Sequence, residues 1–241
     1  MCGRYASSRK PEDLVEEFDI RGPVAPALEP DYNVAPTKPV YGVVQRPERD
    51  RQLRVLTWGL VPSWAKDPAI GNRMINARME TVAEKPAYRR AFAARRAILP
   101  ADGYYEWYLT DQLTAKGKPV KQPYFIRPRD GGVLAMAGLY EIWRDPEAAD
   151  DDPDRFRWTT TVITTSAEDE LGRIHDRMPL MLTPDRYDAW LDPTVSGPDL
   201  LELLQPAAPG LLEAYPVSRL VSNVRNNGPE LVAPTPLQAA D

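Results

Sequence analysis

Proline spacing decides what this chain can fold into. With 26 prolines in 241 residues, one falls about every nine positions. Each fixes φ near −65° and removes a backbone donor, so helices and central strands are interrupted at short intervals. A long coiled coil or a helical bundle is excluded. The prolines are interleaved with aromatics (6 Trp, 11 Tyr and 4 Phe), which supply apolar surface for a packed core. The reading is therefore many short elements joined by fixed turns, not disorder.

Apolar runs predict strands at Val40–Gln45, Leu53–Trp58, Ala97–Leu99, Gly103–Tyr108, Tyr124–Arg127, Val133–Glu141 and Trp158–Thr165. Helical spacing predicts Pro11–Phe18, with Leu14, Val15 and Phe18 on one stripe and Ser8 as its cap. Further helices are expected at Thr81–Arg96 (in spite of Pro86), Pro184–Leu191 and Pro198–Leu204. Strands in series with helices set between them predict the α+β class. We expect a single compact domain over residues 1–230, with a curled mixed or antiparallel sheet or barrel-like core flanked by short helices, and a tail at 231–241.

Charge and rare residues remove several functions. A formal net charge of −5 argues against a general nucleic-acid binder. One cysteine excludes an internal disulfide and any CxxC redox or zinc motif, and one histidine cannot found a His-rich metal centre. No metal and no cofactor is expected. No run of 18 apolar residues occurs, and residues 1–20 carry charges where a signal peptide would be apolar. A cytoplasmic, membrane-free monomer is the expectation. Two stretches depart from the average. Asp145–Asp154 holds six acids and no base, and reads as an exposed acidic loop. Asn72–Arg96 holds Arg73, Arg78, Lys85, Arg89, Arg90, Arg95 and Arg96 against Glu80 and Glu84. It is either a solvated helix face or a phosphate-tracking patch, which local charge permits although the total is negative.

The lone cysteine stands at position 2, in Cys2-Gly3-Arg4-Tyr5. If Met1 is removed, the chain begins with a 1,2-aminothiol. Its α-amine, with an ordinary pKa of about 8, is far more often neutral than a lysine and adds readily to carbonyls. On this position alone, an incidental cysteine is the commoner explanation. The lone histidine, His175, lies in Ile174-His175-Asp176-Arg177-Met178-Pro179; a single histidine is more often structural, but the proline enforces loop backbone here, where a neutral imidazole can trade protons. Glu106, in Gly103-Tyr104-Tyr105-Glu106-Trp107, shares a strand face with Tyr104; it is either edge-exposed or part-buried, and burial would raise its pKa and suit it to acid–base work. Asn76 and Arg78, in Asn76-Ala77-Arg78-Met79-Glu80-Thr81, are either turn residues or an amide that orients a reacting group beside a phosphate fork. Trp58 and Trp64 flank a Gly/Pro turn; core packing is the default, and a loop Trp can instead stack on an unpaired base. Ser222–Gly228 is a polar turn region with a weak claim to anion contacts.

These motifs, together with Tyr32-Asn33-Val34-Ala35-Pro36, run in one order from position 2 to about 228. In that order the chain resembles the SRAP family, SOS-response-associated peptidase-like proteins that act on abasic sites in single-stranded DNA. The resemblance implies a β-rich α+β domain with a positive groove for single-stranded DNA. It implies that Cys2, exposed by methionine removal, bonds covalently to the abasic sugar as a thiazolidine, and that Asn76, Glu106 and His175 complete the active site. Arg4, Trp64, Arg78 and Arg177 match DNA-contacting positions. The family's peptidase label rests on self-removal of residues before Cys2. Two rivals remain: an N-terminal-nucleophile amidase or peptidase using the same Cys2, and a non-catalytic single-strand binder in which Cys2 is incidental.

Overall fold

The computed structural model describes all residues except 1, 48, 115, 153–154, 168–170 and 237–241. Its centre is a closed ring of five strands: β3 (Pro39–Val44), β4 (Gln52–Trp58), β6 (Arg96–Ala101), β9 (Leu134–Arg144) and β10 (Phe156–Ser166). Neighbours around the ring are antiparallel except β10 and β4, whose parallel pairing sets Thr160 opposite Trp58. This closure leaves no free edge over its paired length. Beyond Val162, β10 leaves the ring and gains two short neighbours, β5 (Asn76–Arg78) on one side and β11 (Arg177–Pro179) on the other. The expected curled core is thus a mixed barrel.

A second, antiparallel sheet runs in the order β12 (Leu212–Pro216), β8 (Pro119–Pro128), β7 (Gly103–Leu113), β1 (Tyr5–Ser7), β2 (Asp31–Val34). Alternation along each strand divides its side chains between two faces. Tyr5, Tyr104 and Ile126 join the barrel lining (Trp58, Leu99, Met136, Tyr140, Val162) in one buried cluster. Tyr105 and Phe125 face the other way and pack with Val217, Val221 and Leu231. The packing therefore runs past residue 230, and Thr235 still donates to the Pro216 carbonyl. The rest of the expected tail lies outside the described residues. On the barrel's outer surface, Leu14 and Phe18 of the first helical segment and Trp190 and Leu200 of the late ones cover Tyr41, Ile98 and Leu139.

The strands are longer than sequence indicated, and the helices shorter. Helix α1 (Pro11–Glu17) starts with Pro11 in its first turn, where a missing N–H is harmless. Its N-cap is Lys10, not Ser8; the Ser8 N–H instead donates to Asp102 Oδ2 at 2.7 Å. The expected helix over Thr81–Arg96 is realised only as α2 (Arg89–Ala94), preceded by a 3₁₀ turn at Met79–Thr81 and a run of turns through Pro86. Proline's ring and missing donor stopped it. With the helix goes the idea of one basic face. Arg96 is 2% exposed and its guanidinium donates to the carbonyls of Trp190, Phe92, Ala93 and Asp192, while Arg95 pairs with Glu141 at 2.8 Å. A four-residue α3 (Leu171–Ile174), α4 (Tyr187–Leu191) and α5 (Gly197–Glu202) complete the helices. None of the described helices is long and apolar enough to cross a membrane. Asp145–Asp154 joins β9 to β10, its Asp145 and Asp150 paired with Arg157 and Arg144; residues 153 and 154 lie outside the described set.

Candidate active site

Four residues separated by up to 173 positions are drawn together around the start of β1. Tyr5 on β1 stands opposite Tyr104 on β7, and the Tyr105 N–H donates to the Arg4 carbonyl at 2.9 Å. That register brings Cys2 toward Glu106, two residues along β7 on the face it shares with Tyr104. On the other side, β5 places Asn76 opposite Val162, and its Nδ2 donates to the Cys2 carbonyl at 2.8 Å. His175 follows α3, just before β11.

Cys2 is wholly buried, within the cluster of Tyr5, Tyr104 and Trp58. Desolvation first, and then the carboxylate of Glu106, push its thiol well above the ordinary value; the chain's positive terminus and the Arg4 backbone N–H act the other way. Glu106 is 4% exposed, and its carboxyl is pushed up to about 7. Burial is the main cause, helped by Asp176 and opposed by the chain's positive terminus. A carboxyl near 7 both gives and takes protons at physiological pH. His175 is held below its ordinary 6.5, chiefly by burial and by the same positive terminus. Its Nδ1 accepts from the Arg177 N–H at 3.0 Å. Asp176 Oδ1 is also 3.0 Å away, but that carboxylate is 86% exposed, and the lowered pKa favours the neutral ring accepting from Arg177. Both Glu106 and His175 therefore sense the first positive charge of the chain. The bond from Asn76 goes to the Cys2 carbonyl and not to its nitrogen, and Asn76 Oδ1 is a buried acceptor with no partner among the described residues.

The outer positions divide. Trp64 is 57% exposed in its loop, whereas Trp58 is fully buried and its Nε1 donates to Ile75. Arg78 is exposed. Arg177 grips Glu80 with two bonds of 2.6 and 3.1 Å and the Thr164 carbonyl at 2.6 Å, which holds the Glu80 carboxyl below its ordinary value. Arg4 donates to Asn33 Oδ1 at 2.7 Å and to the Val221 carbonyl at 2.9 Å, and lies over the Trp107 ring. The polar turn at 222–228 serves the fold here: Asn33 Nδ2 donates to the carbonyls of Val221, Asn223 and Asn226. Sequence reading gave Asn33 no role beyond its motif, since nothing local marks an amide that will meet a turn almost two hundred residues away. Among the described residues, no group of three or more His, Cys, Asp or Glu side chains could hold a metal ion.

Residues 1–224 match the family model of the SOS response associated peptidase (SRAP). The chain is 42% identical over 235 residues to "Abasic site processing protein YoqW" of Bacillus subtilis, covering 96% of this chain and 99% of that one. It is 36% identical over 246 residues to "Abasic site processing protein YedK" of Escherichia coli, covering 97% and 100%. A crystal structure of a protein from Bacteroides thetaiotaomicron superposes with a TM-score of 0.82 at 25% identity, covering 97% of this chain and 100% of that one.

Proposed function

From the premise that this chain belongs to the SOS response associated peptidase (SRAP) family, we propose that it processes abasic sites in DNA by capturing the ring-opened sugar on its own N-terminus, in single-stranded DNA. The observation that carries the reading is a buried carboxyl poised near 7 beside a buried Cys2 whose carbonyl is fixed by Asn76. Removal of Met1, which lies outside the described residues, frees the Cys2 α-amine. Asn76 Oδ1 is the acceptor at hand for that amine, and orientation of this kind is a large part of a bimolecular barrier.

The neutral amine adds to the C1′ aldehyde to give a carbinolamine. Glu106, protonated, gives its proton to the departing hydroxyl, and water leaves as the nitrogen lone pair forms the protonated imine. The thiol sulfur then bonds to the imine carbon, and the C=N electron pair returns to nitrogen. The thiol proton passes to the Glu106 carboxylate, restoring the acid, and a five-membered thiazolidine with a neutral ring N–H results. A free imine acidifies the neighbouring carbon and invites β-elimination of the strand; the saturated ring suppresses that route. Neutral His175 assists transfer to or from the sugar oxygen. Arg78, exposed two residues along β5 from Asn76, would track phosphate, and Trp64, exposed in its loop, would stack on an unpaired base. Arg4 and Arg177 shape that groove from their internal partners.

Single-stranded DNA carrying one uracil, treated with uracil glycosylase, is the test. A protein–DNA band that survives a denaturing gel is expected from wild type and lost in Cys2→Ala, and intact mass should show Met1 absent from the adduct. A wild-type protein that emerges unmodified overturns the reading, and turnover of peptide substrates without DNA would transfer it to the amidase class.

A further inference from the structure

A cavity of about 760 Å³ is lined by elements that also build the site, and its Ile174, Met178, Met181 and Leu212 pack in the same buried cluster as Cys2. Tyr124, in its lining, stands directly opposite Glu106 in the β7–β8 register, and Tyr108 is the next residue after Glu106 on the same face of β7. Directly opposed residues are about 5 Å apart, so the cavity begins one cross-strand step from the proposed acid–base group. The two tyrosines meet edge to face, ring centroids 6.3 Å apart at 80°, and Tyr108 is 36% exposed. Across from them, Ile174 precedes His175 directly, and Met178 and Met181 give the lining an apolar, adaptable part. Two exposed cations, Arg129 and Arg173, complete it. Arg129 is anchored by a bond from Nε to the Gly210 carbonyl at 2.9 Å.

We infer that this cavity is a subsite for the nucleotide next to the lesion, its unpaired base against Tyr108 and its phosphate on Arg173 or Arg129. The inference rests on the abasic-site reading and deepens it. The volume suits a small aromatic ligand. An exposed aromatic edge beside apolar side chains takes any base by its π-face, and guanidinium groups take the phosphate. Continuity with Glu106 along β7 and with His175 through α3 leaves room for a neighbour of the reacting sugar and not for a remote segment.

Non-covalent binding decides the matter. Single-stranded oligonucleotides carry a tetrahydrofuran site, which has no aldehyde, flanked either by natural nucleotides or by further base-less spacers, and affinity is read by fluorescence anisotropy. Wild type should bind the natural flank about tenfold more tightly on one side of the lesion. Tyr108→Ala should lose that difference and Tyr108→Phe should keep it. Arg173→Glu, at an exposed position, should weaken both oligonucleotides and lower the salt slope by about one. Equal wild-type affinities for the two flanks, or discrimination that survives in Tyr108→Ala, overturn the subsite. Discrimination without any crosslink to a true abasic site would keep the subsite and sink the covalent chemistry.

Discussion

At the scale of single residues, the chemistry depends on burial more than on residue type. Glu106 has an ordinary carboxyl pKa near 4.5 and is raised to about 7 in the fold. The folded state thus holds a proton between those values that the unfolded chain releases, so stability contributed here declines as pH rises from 4.5 to 7 and stays lower above. That interval corresponds to ~3 kcal/mol. Glu106→Gln should therefore stabilise the fold by up to that amount at pH 8.5 and by almost nothing at pH 4.5, as followed by urea denaturation at both pH values. Equal effects at the two pH values would show that the carboxyl is not perturbed. Because Glu106 must be protonated to expel water, wild-type crosslinking should decline above about pH 7, and Glu106→Gln should crosslink more slowly and without that decline. Sequence could nominate Glu106, but its exposure was undecided, because strand alternation says which face a residue takes and not what covers that face. The partner on Asn76 was equally hidden. Sequence left Asn76 as a turn residue or an amide orienting a reacting group, and its Nδ2 is found on the Cys2 carbonyl.

At the scale of elements, the loop between β4 and β5 is fixed by a close backbone crossing. Gly59 has φ +131°, and a Cβ there would stand 2.7 Å from the Gly71 carbonyl oxygen; a Cβ on Gly71 would stand 2.6 Å from that of Gly59. Both the left-handed backbone and the contact require glycine. This crossing aligns Leu60 with Met74, whose carbonyl accepts from Leu60 at 3.1 Å, and so sets the run that delivers Asn76. Gly59→Ala should destabilise the protein by about 2–3 kcal/mol in thermal unfolding, whereas alanine at Gly117, with nothing within 4 Å of its Cβ, pays only for its φ of +70°. Hydrophobic patterning made the barrel strands legible, since each is a run of Val, Ile, Leu or aromatic residues bounded by turn signals. It did not reveal β1, β2, β5, β11 or β12. These are three to five residues long, too short for a period, and exist through their pairings: β1 on β7, β12 on β8, β5 and β11 on β10, and β2 on β1. Of these, β1, β5 and β11 carry or adjoin Cys2, Asn76 and His175, whereas Glu106 comes from the legible β7.

At the scale of the whole molecule, the C-terminal segment locks the N-terminal one. Arg4 and Asn33 together hold the carbonyls of Val221, Asn223 and Asn226, and Leu231 is fully buried beneath the second sheet. Asn33→Ala would remove the buried amide's bonds to the Val221, Asn223 and Asn226 carbonyls and leave the Arg4 guanidinium without its Oδ1 acceptor, a loss of about 2–4 kcal/mol. Hydrogen exchange should quicken in residues 219–232 and β1 while the barrel strands stay protected. Exchange confined to the site of substitution would refute the coupling. The order of motifs, spread over almost the full chain, announced a shared architecture without disclosing this long-range clasp. The same closure bears on Cys2. An unhindered aminothiol condenses with many small aldehydes, and an accessible thiolate is consumed by peroxide. Buried under aromatic rings, with its thiol pushed above the ordinary value, this one should react slowly with such reagents, so specificity would lie less in what the reagent can do than in which electrophile is escorted to it.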